Sequence, residues 1–441
     1  MDKNLTVGNE KIASLFDPGT FVEIGAYIKR EGAEDTYDGV ICGYGSISGK
    51  LVFAFVQDSD RLKGALDSTG AKKIEMLYSS AIKNGAAVVG IFDSAGAVVL
   101  DGSAALGAYG KFISCVSRAS GIVPQIAVVD GLCTGMSAVA ASLFDFCITV
   151  ADKAKMYLCA DGAKNKEFEK RSAITAKTEA EAIENAKRLI GMLPSNNNDS
   201  AAIEASDSPN RKINADPSDA GALIRELCDS GSFIELYSEF GKDLICGFAR
   251  FGGELVGVVA SDSSVDGGKI TCKSAKKAAE LISFCDRFDI SVLTLVNSKG
   301  YSENLCPTSA AALASAYANS KCAKVTAVVG NAYGAGFTLL GSKSLGADLE
   351  IALPDSVISV MSPESAVAFL MNDRINENTN RADVEKEWST VYASALRAAE
   401  KGDIDDIVEP CELRARICSA LYMLSSKADN YPDRKHFRLP L

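Results

Sequence analysis

Hydrophobic and polar residues follow two alternating patterns in the first half of the chain. Continuous apolar runs at 51–57, 86–92 and 123–129, each bounded by polar residues or glycine, predict buried β-strands. Between these runs, apolar residues three and four positions apart predict two amphipathic helices. The apolar faces consist of Ile74, Leu77, Tyr78, Ala81 and Ile82 in the first helix and Leu106, Tyr109, Phe112, Ile113 and Val116 in the second. Strands that alternate with such helices predict βαβ units and an α/β fold.

The second half of the chain repeats the first half. Four stretches recur in the same order: 15–24 as 227–236, 42–45 as 246–249, 93–96 as 297–300, and 126–129 as 326–329. The second and third pairs have an offset of 204 and the fourth an offset of 200. Similarity at a nearly constant offset predicts a duplicated domain.

The composition between the two copies gives the predicted domain boundaries. Residues 195–220 are rich in Asn, Ser, Asp and Pro and contain few apolar residues, which is typical of a linker. We therefore predict an N-terminal domain over 1–194, a linker over 195–220 and a C-terminal domain over 221–441. With 441 residues, each domain has enough chain to bury a core.

Several classes of function are disfavoured by composition. The chain has one histidine, His436 near its C-terminus, so histidine-based catalysis and His-rich metal sites are disfavoured. None of the 13 cysteines forms a C-x-x-C pair, and no P-loop or Rossmann glycine motif occurs. The 46 basic and 57 acidic residues argue against binding of nucleic acid. Without a signal sequence or a long apolar run, we expect a cytoplasmic protein.

Candidate chemistry lies in a turn of small residues after the last long strand of each half. The first turn is Asp130-Gly-Leu-Cys-Thr-Gly135-Met136, and the second is Asn331-Ala-Tyr-Gly334-Ala335-Gly336. A turn from a strand into a helix directs backbone N–H groups toward the crevice at the strand ends. Such groups can stabilise an oxyanion without any histidine. Close packing of helix against strand is the alternative explanation for these small residues.

Motifs along the whole chain carry a resemblance to a known family. They are Leu15-Phe-Asp-Pro-Gly-Thr-Phe-Val-Glu23, Asp38-Gly-Val-Ile-Cys-Gly-Tyr-Gly45, Ala71-Lys-Lys-Ile74, Ala119-Ser-Gly-Ile-Val-Pro-Gln-Ile126, Leu193-Pro-Ser-Asn-Asn197, Cys246-Gly-Phe-Ala-Arg250, Ala332-Tyr-Gly-Ala335 and the ending Arg434-Lys-His436…Pro440-Leu441. The chain resembles the carboxyltransferase subunits of biotin-dependent acyl-CoA carboxylases, of the propionyl-CoA carboxylase β-subunit type. It also resembles the α-subunits of the related biotin-dependent acyl-CoA decarboxylases.

The resemblance implies a fold and a set of partners. The fold would be two tandem crotonase-like (ClpP/crotonase) domains, the N-terminal one binding acyl-CoA and the C-terminal one biotin. The active site would lie where the N-terminal half of one subunit meets the C-terminal half of another, in a homo-oligomer (dimer or hexamer) or a hetero-oligomer with a homologous subunit. Because no Met-Lys-Met biotinylation motif occurs, biotin would arrive on a partner carrier protein. The partners would be a biotin carboxyl carrier protein and a biotin carboxylase, or a membrane decarboxylase subunit through which the chain would be peripheral to the membrane.

The resemblance also implies roles for individual residues. The N–H pairs of the two oxyanion holes fall on Gly135 and Met136 and on Gly334 and Ala335. The first pair would stabilise a thioester enolate and the second the ureido oxygen of biotin, whose decarboxylation supplies the base. Residues implied to contact the acyl-CoA are Ser94, Ala95, Gly96, Ala97, Cys133 and Thr134, and those implied on the biotin side are Gly300, Tyr333 and Gly336. Packing alone is the alternative role for Tyr333.

The chain departs from the family pattern near these residues. Met136 stands where the family has a second glycine, Val98 stands where it has an arginine, and 161–171 is a short charged loop. The stretch 297–307 also differs from the family pattern.

From the resemblance as a whole we expect a carboxyltransferase that moves a carboxyl group between biotin and the α-carbon of an acyl-CoA. The alternatives are the α-subunit of a decarboxylase in a membrane sodium pump and a non-catalytic scaffold subunit. Hydration of an acyl-CoA, with Asp93 or Asp130 as the acid or base, is less favoured.

Two adjacent lysine pairs occupy equivalent places in the repeat. Lys72 and Lys73 match Lys276 and Lys277. They could contact the phosphates of CoA, but adjacent helical residues rarely face one ligand together. We therefore expect a solvated helix face at these positions.

Overall fold

A computed structural model describes residues 6–30, 37–159, 172–375 and 379–428. The chain forms two compact units, which divide between Ala201 and Ala202. The side chain of Ile213, within the predicted linker, is buried in the core of the second unit. The boundaries predicted at 194 and 221 stay predictions. His436, the C-terminal motif and the charged loop at 161–171 lie outside the described residues.

The first unit is built on a mixed sheet of eight strands. Its strands are β1 (Val22–Ile24), β2 (Val40–Ile47), β3 (Lys50–Gln57), β4 (Ala87–Ser94), β5 (Gln125–Thr134), β6 (Phe146–Val150), β7 (Lys155–Tyr157) and β8 (Ile174–Ala176). Their order is β1-β2-β3-β4-β5-β6-β8, with β7 paired to β5. The first three strands pair antiparallel, and the rest pair parallel.

Five α-helices accompany this sheet in the described residues. They are α1 (Val7–Leu15), α2 (Ser68–Asn84), α3 (Ser103–Ala119), α4 (Met136–Ala141) and α5 (Glu179–Met192). Helix α2 begins where the side chain of Asp67 accepts the Gly70 N–H and ends at Gly85, which adopts the left-handed conformation. The core between α2, α3 and the sheet contains a cluster of aromatic rings with edge-to-face contacts: Phe55, Phe92, Phe112 and Phe144.

The second unit repeats the sheet of the first. Its strands are β9 (Ile234–Leu236), β10 (Leu244–Phe251), β11 (Glu254–Ser261), β12 (Ser291–Ser298), β13 (Lys324–Tyr333), β14 (Leu349–Ala352), β15 (Val357–Ser359) and β16 (Asp406–Ile407). Their order is β16-β14-β13-β12-β11-β10-β9, with β15 paired to β13. The described helices are α6 (Ala220–Leu227), α7 (Cys272–Arg287), α8 (Pro307–Asn319), α9 (Ala335–Thr338), α10 (Pro363–Leu370), α11 (Arg381–Tyr392), α12 (Ala395–Lys401) and α13 (Leu413–Leu424).

The structure confirms the duplicated α/β organisation and corrects one alignment. Strand β4 pairs with β5 as β12 pairs with β13, so Val88 opposite Gln125 corresponds to Val292 opposite Lys324. The offset along this last long strand is therefore 199 (324 − 125) rather than the predicted 200. The prediction was wrong by one residue because short runs of Ala and Val match each other in either register.

The structure also corrects the solvated face predicted for the lysine pairs. Lys72 and Lys276 are exposed, but Lys73 and Lys277 are buried. The ammonium group of Lys73 forms an ion pair with Asp38, with 3.1 Å between Nζ and Oδ2, and donates to the carbonyl of Val40. Adjacent positions on a helix point about 100° apart, so one lysine of each pair faces the core. Only one lysine of each pair therefore lies on a solvated face.

A buried carboxyl group in the second unit predicts a dependence of stability on pH. Glu350 in β14 is 1% exposed; its Oε2 accepts the Lys343 N–H at 2.6 Å, and its Oε1 has no partner in the described residues. Burial raises the pKa of Glu350 to about 8, with the nearby carboxylates of Asp405 and Asp403 acting in the same direction and the Lys343 N–H opposing them. The folded protein therefore holds a proton that the unfolded chain releases above its ordinary pKa of 4.5.

Glu350→Gln should remove this pH dependence. The stability that the protonated group contributes is fully present below pH 4.5 and is lost as the pH rises through 8. At pH 9 the variant should be more stable than the natural chain by about 2–4 kcal/mol, and at pH 5 the two should be alike. Urea unfolding followed by the fluorescence of the single tryptophan, Trp388, measures this in the second unit. The exposed Glu303→Gln is the control, and parallel pH curves for Glu350→Gln would contradict the prediction.

Candidate active site

The same strand–turn–helix arrangement lies in each unit. In the first unit β5 ends at Thr134, Gly135 makes the turn, and α4 begins at Met136. In the second unit β13 ends at Tyr333, Gly334 makes the turn, and α9 follows. Gly135 has φ 59° and ψ −130°, and Gly334 has φ 50° and ψ −116°. These conformations are strained for residues with a Cβ, so both positions require glycine.

At each turn the N–H group of the glycine is paired and that of the next residue is available. The Gly135 N–H donates to the carbonyl of Tyr157 in β7 at 2.9 Å, and the Gly334 N–H donates to the carbonyl of Ser359 in β15 at 2.8 Å. Met136 and Ala335 are the first residues of their helices, and their N–H groups have no acceptor among the described residues. Of the implied pair Gly135 and Met136, only Met136 therefore has an available N–H group. In the second pair, Gly334 and Ala335, it is Ala335.

Buried hydroxyl groups fix the first turn from beneath. Ser94 Oγ, at the end of β4, accepts the N–H of Gly96 at 3.2 Å and a hydrogen bond from Ser137 Oγ at 3.3 Å. Tyr109 in α3 lies 2.7 Å from the same Ser137 oxygen. Ser94 and Ser137 are both fully buried. This network holds the loop after β4 against the start of α4.

The other residues implied to contact the acyl-CoA differ in their exposure. Gly96 and Thr134 lie together, because a Cβ on Gly96 would be 3.4 Å from Thr134 Oγ1. Ala95 is exposed and Ala97 is half-buried on the same loop. Cys133, in contrast, packs in the core, where burial raises its pKa well above the ordinary value. Only the backbone of Cys133 is thus available to a ligand, and the thiol is not.

In the second unit the implied biotin-side residues lie next to one another. Gly300 N–H donates to Ser298 Oγ at 3.2 Å, as Gly96 does to Ser94 in the first unit. A Cβ on Gly300 would be 3.4 Å from the carbonyl oxygen of Tyr333, and one on Gly336 would be 2.8 Å from Ser298 Oγ. The absence of side chains at these glycines lets the loop after β12 approach the second turn.

The ring of Tyr333 lies largely in the interior. Its hydroxyl donates to Asn331 Oδ1 at 2.6 Å, and its side chain is 8% exposed. Burial raises the pKa of Tyr333 to about 12, so the phenol remains protonated at neutral pH. Packing and orientation of Asn331 therefore account for the contacts of this ring in the structure.

The two turns differ in charge. In the first unit Asp93 Oδ1 accepts the Leu132 N–H at 3.1 Å, and in the second Asn297 Oδ1 accepts the Asn331 N–H at 3.0 Å. The carboxylate and the amide thus fill the same structural position.

A lysine side chain lies beside two carboxylates near the first turn and partly offsets their negative charge. Lys11 Nζ lies 2.7 Å from Asp130 Oδ2 and 3.8 Å from Asp93 Oδ2. Burial raises the pKa of Asp130 to about 6, although Lys11 opposes the shift. Lys11 was not among the residues chosen from the sequence, since it lies in α1, far from the turn along the chain. The repeat did match Asp93 with Asn297, but their shared hydrogen bond was not evident from it.

Comparisons with known proteins show the family and the fold. The chain matches the carboxyl transferase domain family over residues 2–168 and 171–439. It is 31% identical over 486 residues to the carboxyltransferase subunit of propionyl-CoA carboxylase from Haloferax mediterranei, covering 100% of this chain and 94% of that protein. It is 31% identical over 474 residues to the α subunit of methylmalonyl-CoA decarboxylase from Veillonella parvula, covering 98% and 92%.

The structure is similar to that of transcarboxylase 12S, a hexamer solved with hydrolysed methylmalonyl-CoA bound. The TM-score is 0.92 at 28% sequence identity, and the match covers 98% of this chain and 92% of that one. The chain therefore belongs to the carboxyl transferase domain family, whose members are biotin-dependent enzymes acting on acyl-CoA substrates. The predicted resemblance and the two crotonase-like domains are confirmed. Among the described residues, no helix has both the length and the hydropathy required to cross a membrane.

Proposed function

We propose that the chain is a carboxyltransferase component that moves a carboxyl group between biotin and the α-carbon of an acyl-CoA. The observation that carries the proposal is an unpaired N–H group at a glycine-only turn in each unit, on Met136 and Ala335. Two donors of the same kind suit a reaction in which two substrates each develop negative charge on an oxygen atom. Membership of a family of acyl-CoA carboxylases and decarboxylases supports this reading of the geometry.

In the first unit the Met136 N–H would bind the thioester oxygen. That oxygen gains negative charge as the α-carbon loses a proton or a carboxylate group, so a fixed donor stabilises the enolate more than the ground state. Gly135 would allow the positive φ angle that the turn requires. Ser137 would fix the start of the helix through its buried hydroxyl group. Ala95, Gly96, Ala97 and Thr134 would contact the acyl-CoA beside the turn. Lys11 would offset the negative charge of Asp93 and Asp130 on this side.

The second unit would bind the ureido ring of biotin. Its available donor, the Ala335 N–H, lies between Gly334 and Gly336, and the Asn297 side chain that supports this turn is uncharged. A fixed N–H donor suits a urea oxygen, which is an acceptor. Biotin, when bound there with its carboxyl group, would supply both that group and the base for the α-carbon.

The relatives suggest a substrate class and a set of partners. One acts in propionyl-CoA carboxylase and the other in methylmalonyl-CoA decarboxylase, which transform the same pair of acyl groups in opposite directions. We therefore infer a short acyl-CoA of this kind, a biotin carrier protein in trans and an assembly of several copies, as in transcarboxylase 12S. The decarboxylase role remains the second candidate because the half-reaction on this chain would be the same.

Carboxyl transfer to free biotin tests the proposal without a partner. The purified chain should convert methylmalonyl-CoA and biocytin into propionyl-CoA and carboxybiocytin, detected by liquid chromatography and mass spectrometry. Malonyl-CoA and glutaconyl-CoA complete the substrate panel, and reactions without biocytin are the control for spontaneous decarboxylation. If the folded chain binds an acyl-CoA but transfers no carboxyl group from any of them, the active proposal fails. The exposed Met136 side chain beside the donor would then favour a non-catalytic scaffold subunit.

A further inference from the structure

Two cysteines from different elements meet in the second unit. The sulfur atoms of Cys272, at the start of α7, and Cys306, just before α8, lie 2.8 Å apart although the residues are 34 positions apart in sequence. The N–H of Cys306 also donates to the sulfur of Cys272 at 2.8 Å. A disulfide bond is about 2.05 Å long, so a small movement would bring these atoms to bonding distance. Both residues are partly accessible to solvent.

The surroundings of Cys306 favour its thiolate form. The residue caps α8, a helix of 13 residues with Pro307 in its first turn. Its sulfur lies 3.0 Å from Ser309 Oγ and 3.4 Å from Thr308 Oγ1. Hydrogen bonds from Cys272, Ser309 and Thr308 lower the pKa of Cys306 to about 6. A thiolate is the form that reacts with oxidants, so Cys306 is the more reactive member of the pair.

The two cysteines lie at the end of a row of backbone hydrogen bonds. This row holds the loop 299–306, called here the Gly300 loop. Lys299 N–H donates to Gly267 at 2.9 Å, Ile270 N–H to Gly300 at 3.0 Å and Ser302 N–H to Ile270 at 2.9 Å. These three bonds join the Gly300 loop to the segment that leads into α7. The contact between the two thiols follows the last of these backbone hydrogen bonds.

The first unit has the same row of backbone hydrogen bonds but lacks the two thiols. There Ala95 N–H donates to Lys63, Leu66 N–H to Gly96 and Val98 N–H to Leu66, at 2.9–3.1 Å. At the offset of 204, Cys272 and Cys306 correspond to Ser68 and Gly102, which likewise start α2 and precede α3. The fold therefore does not need cysteine at either position, and the pair is a feature of the second unit alone.

We propose that Cys272 and Cys306 form a reversible disulfide that fastens the Gly300 loop to the start of α7 under oxidising conditions. With a hydroperoxide as the oxidant, the Cys306 thiolate attacks one peroxide oxygen and the O–O bond breaks, leaving a sulfenic acid and, after protonation, water or an alcohol. The Cys272 thiol then attacks the Cys306 sulfur, the S–O bond breaks, and its proton leaves with the hydroxyl group as water. Two electrons pass from the thiols to the peroxide, and a dithiol reductant reverses the change.

Peptide mapping of the full chain tests the bond directly. After treatment with hydrogen peroxide, the peptides that contain Cys272 and Cys306 should appear as one linked species, lighter by two hydrogen atoms than their sum. Dithiothreitol should restore both thiols. Cys306→Ser and Cys272→Ser should each abolish the link, and the latter should leave a Cys306 sulfenic acid that dimedone traps. Cys159→Ser, which removes an exposed cysteine elsewhere, should change nothing.

Hydrogen exchange tests the effect on the Gly300 loop. Amides of 299–306 should exchange several-fold more slowly in the oxidised chain than in the reduced chain, whereas amides of 95–102 in the first unit should not change. Oxidation of single cysteines without a link between Cys272 and Cys306, or a link with unchanged exchange in the loop, would overturn the proposal. Because both measurements follow the thiols and the backbone, they stand whether or not the chain transfers carboxyl groups.

Discussion

Met136→Pro should lower the rate of carboxyl transfer about 100- to 1000-fold, the usual result of removing one donor from an oxyanion hole. Proline lacks the N–H group but is well tolerated as the first residue of a helix, which is the place of Met136 in α4. It also disfavours the helical conformation in the preceding residue. Gly135 is not helical there: its φ of 59° and ψ of −130° are the mirror image of the extended polyproline region. The substitution therefore deletes a single donor and leaves the turn in place.

The matched control is Met136→Ala, which keeps the N–H and shortens a side chain that is 40% exposed. It should transfer carboxyl groups at least as fast as the natural chain. For the proline variant, kcat and kcat/KM should fall together, because the lost hydrogen bond strengthens in the transition state. Ala335→Pro makes the equivalent deletion in the second unit, at the first residue of α9. A Met136→Pro variant that is folded and retains nearly full activity would remove Met136 from the proposed mechanism.

Lys73→Met should destabilise the first unit by about 3–5 kcal/mol at pH 7, because it leaves the carboxylate of Asp38 buried without its cation. Asp38 is fully buried, and its ion pair with Lys73 is closed from solvent on both sides. Burial raises the pKa of Asp38 even with the lysine present, so removal of the lysine should push it higher. Lys72→Met, one residue away and exposed, should change stability by no more than about 0.5 kcal/mol.

The buried lysine of the second unit provides a comparison. The Lys277 ammonium donates to the Tyr237 carbonyl at 3.3 Å and has no ion pair among the described residues, and burial lowers its pKa. Lys277→Met leaves no buried carboxylate behind, so it should be far less harmful than Lys73→Met. Trp388 fluorescence reports the second unit, and hydrogen exchange of α2 reports the first. This account would be contradicted if Lys73→Met and Lys277→Met lowered the free energy of unfolding equally. It would also be contradicted if the Lys73→Met, Asp38→Asn double variant were no more stable than Lys73→Met.

The sequence pattern predicted the long elements because each has a clear hydrophobic period. Helix α2 and the buried strands β3 to β5 lie where those patterns placed them, with ends that differ by a few residues. The short strands β7 and β15 were not predicted, since three residues have too little pattern to stand out. These strands accept the N–H groups of Gly135 and Gly334, so which donor is free could not be derived from the sequence alone.

Charge was harder to predict than hydrophobicity. The pattern placed Lys73 on a solvated face, because a charged residue is assumed to be exposed unless its partner is known. Its partner, Asp38, lies 35 residues away in sequence and becomes a neighbour only when α2 packs on β2. The contact between Lys11 and Asp130 arises in the same way. Long-range ion pairs of this kind carry no local signal, unlike the glycines of the turns.

The exchange of Asp93 for Asn297 shows how two copies of one scaffold can diverge. Carboxylate and carboxamide have nearly the same shape, and both side chains accept the same backbone N–H at about 3 Å. The duplication could therefore change the electrostatic potential at one turn while its mechanical support stayed intact. Charge at a turn and the backbone geometry of that turn can therefore vary independently in this fold.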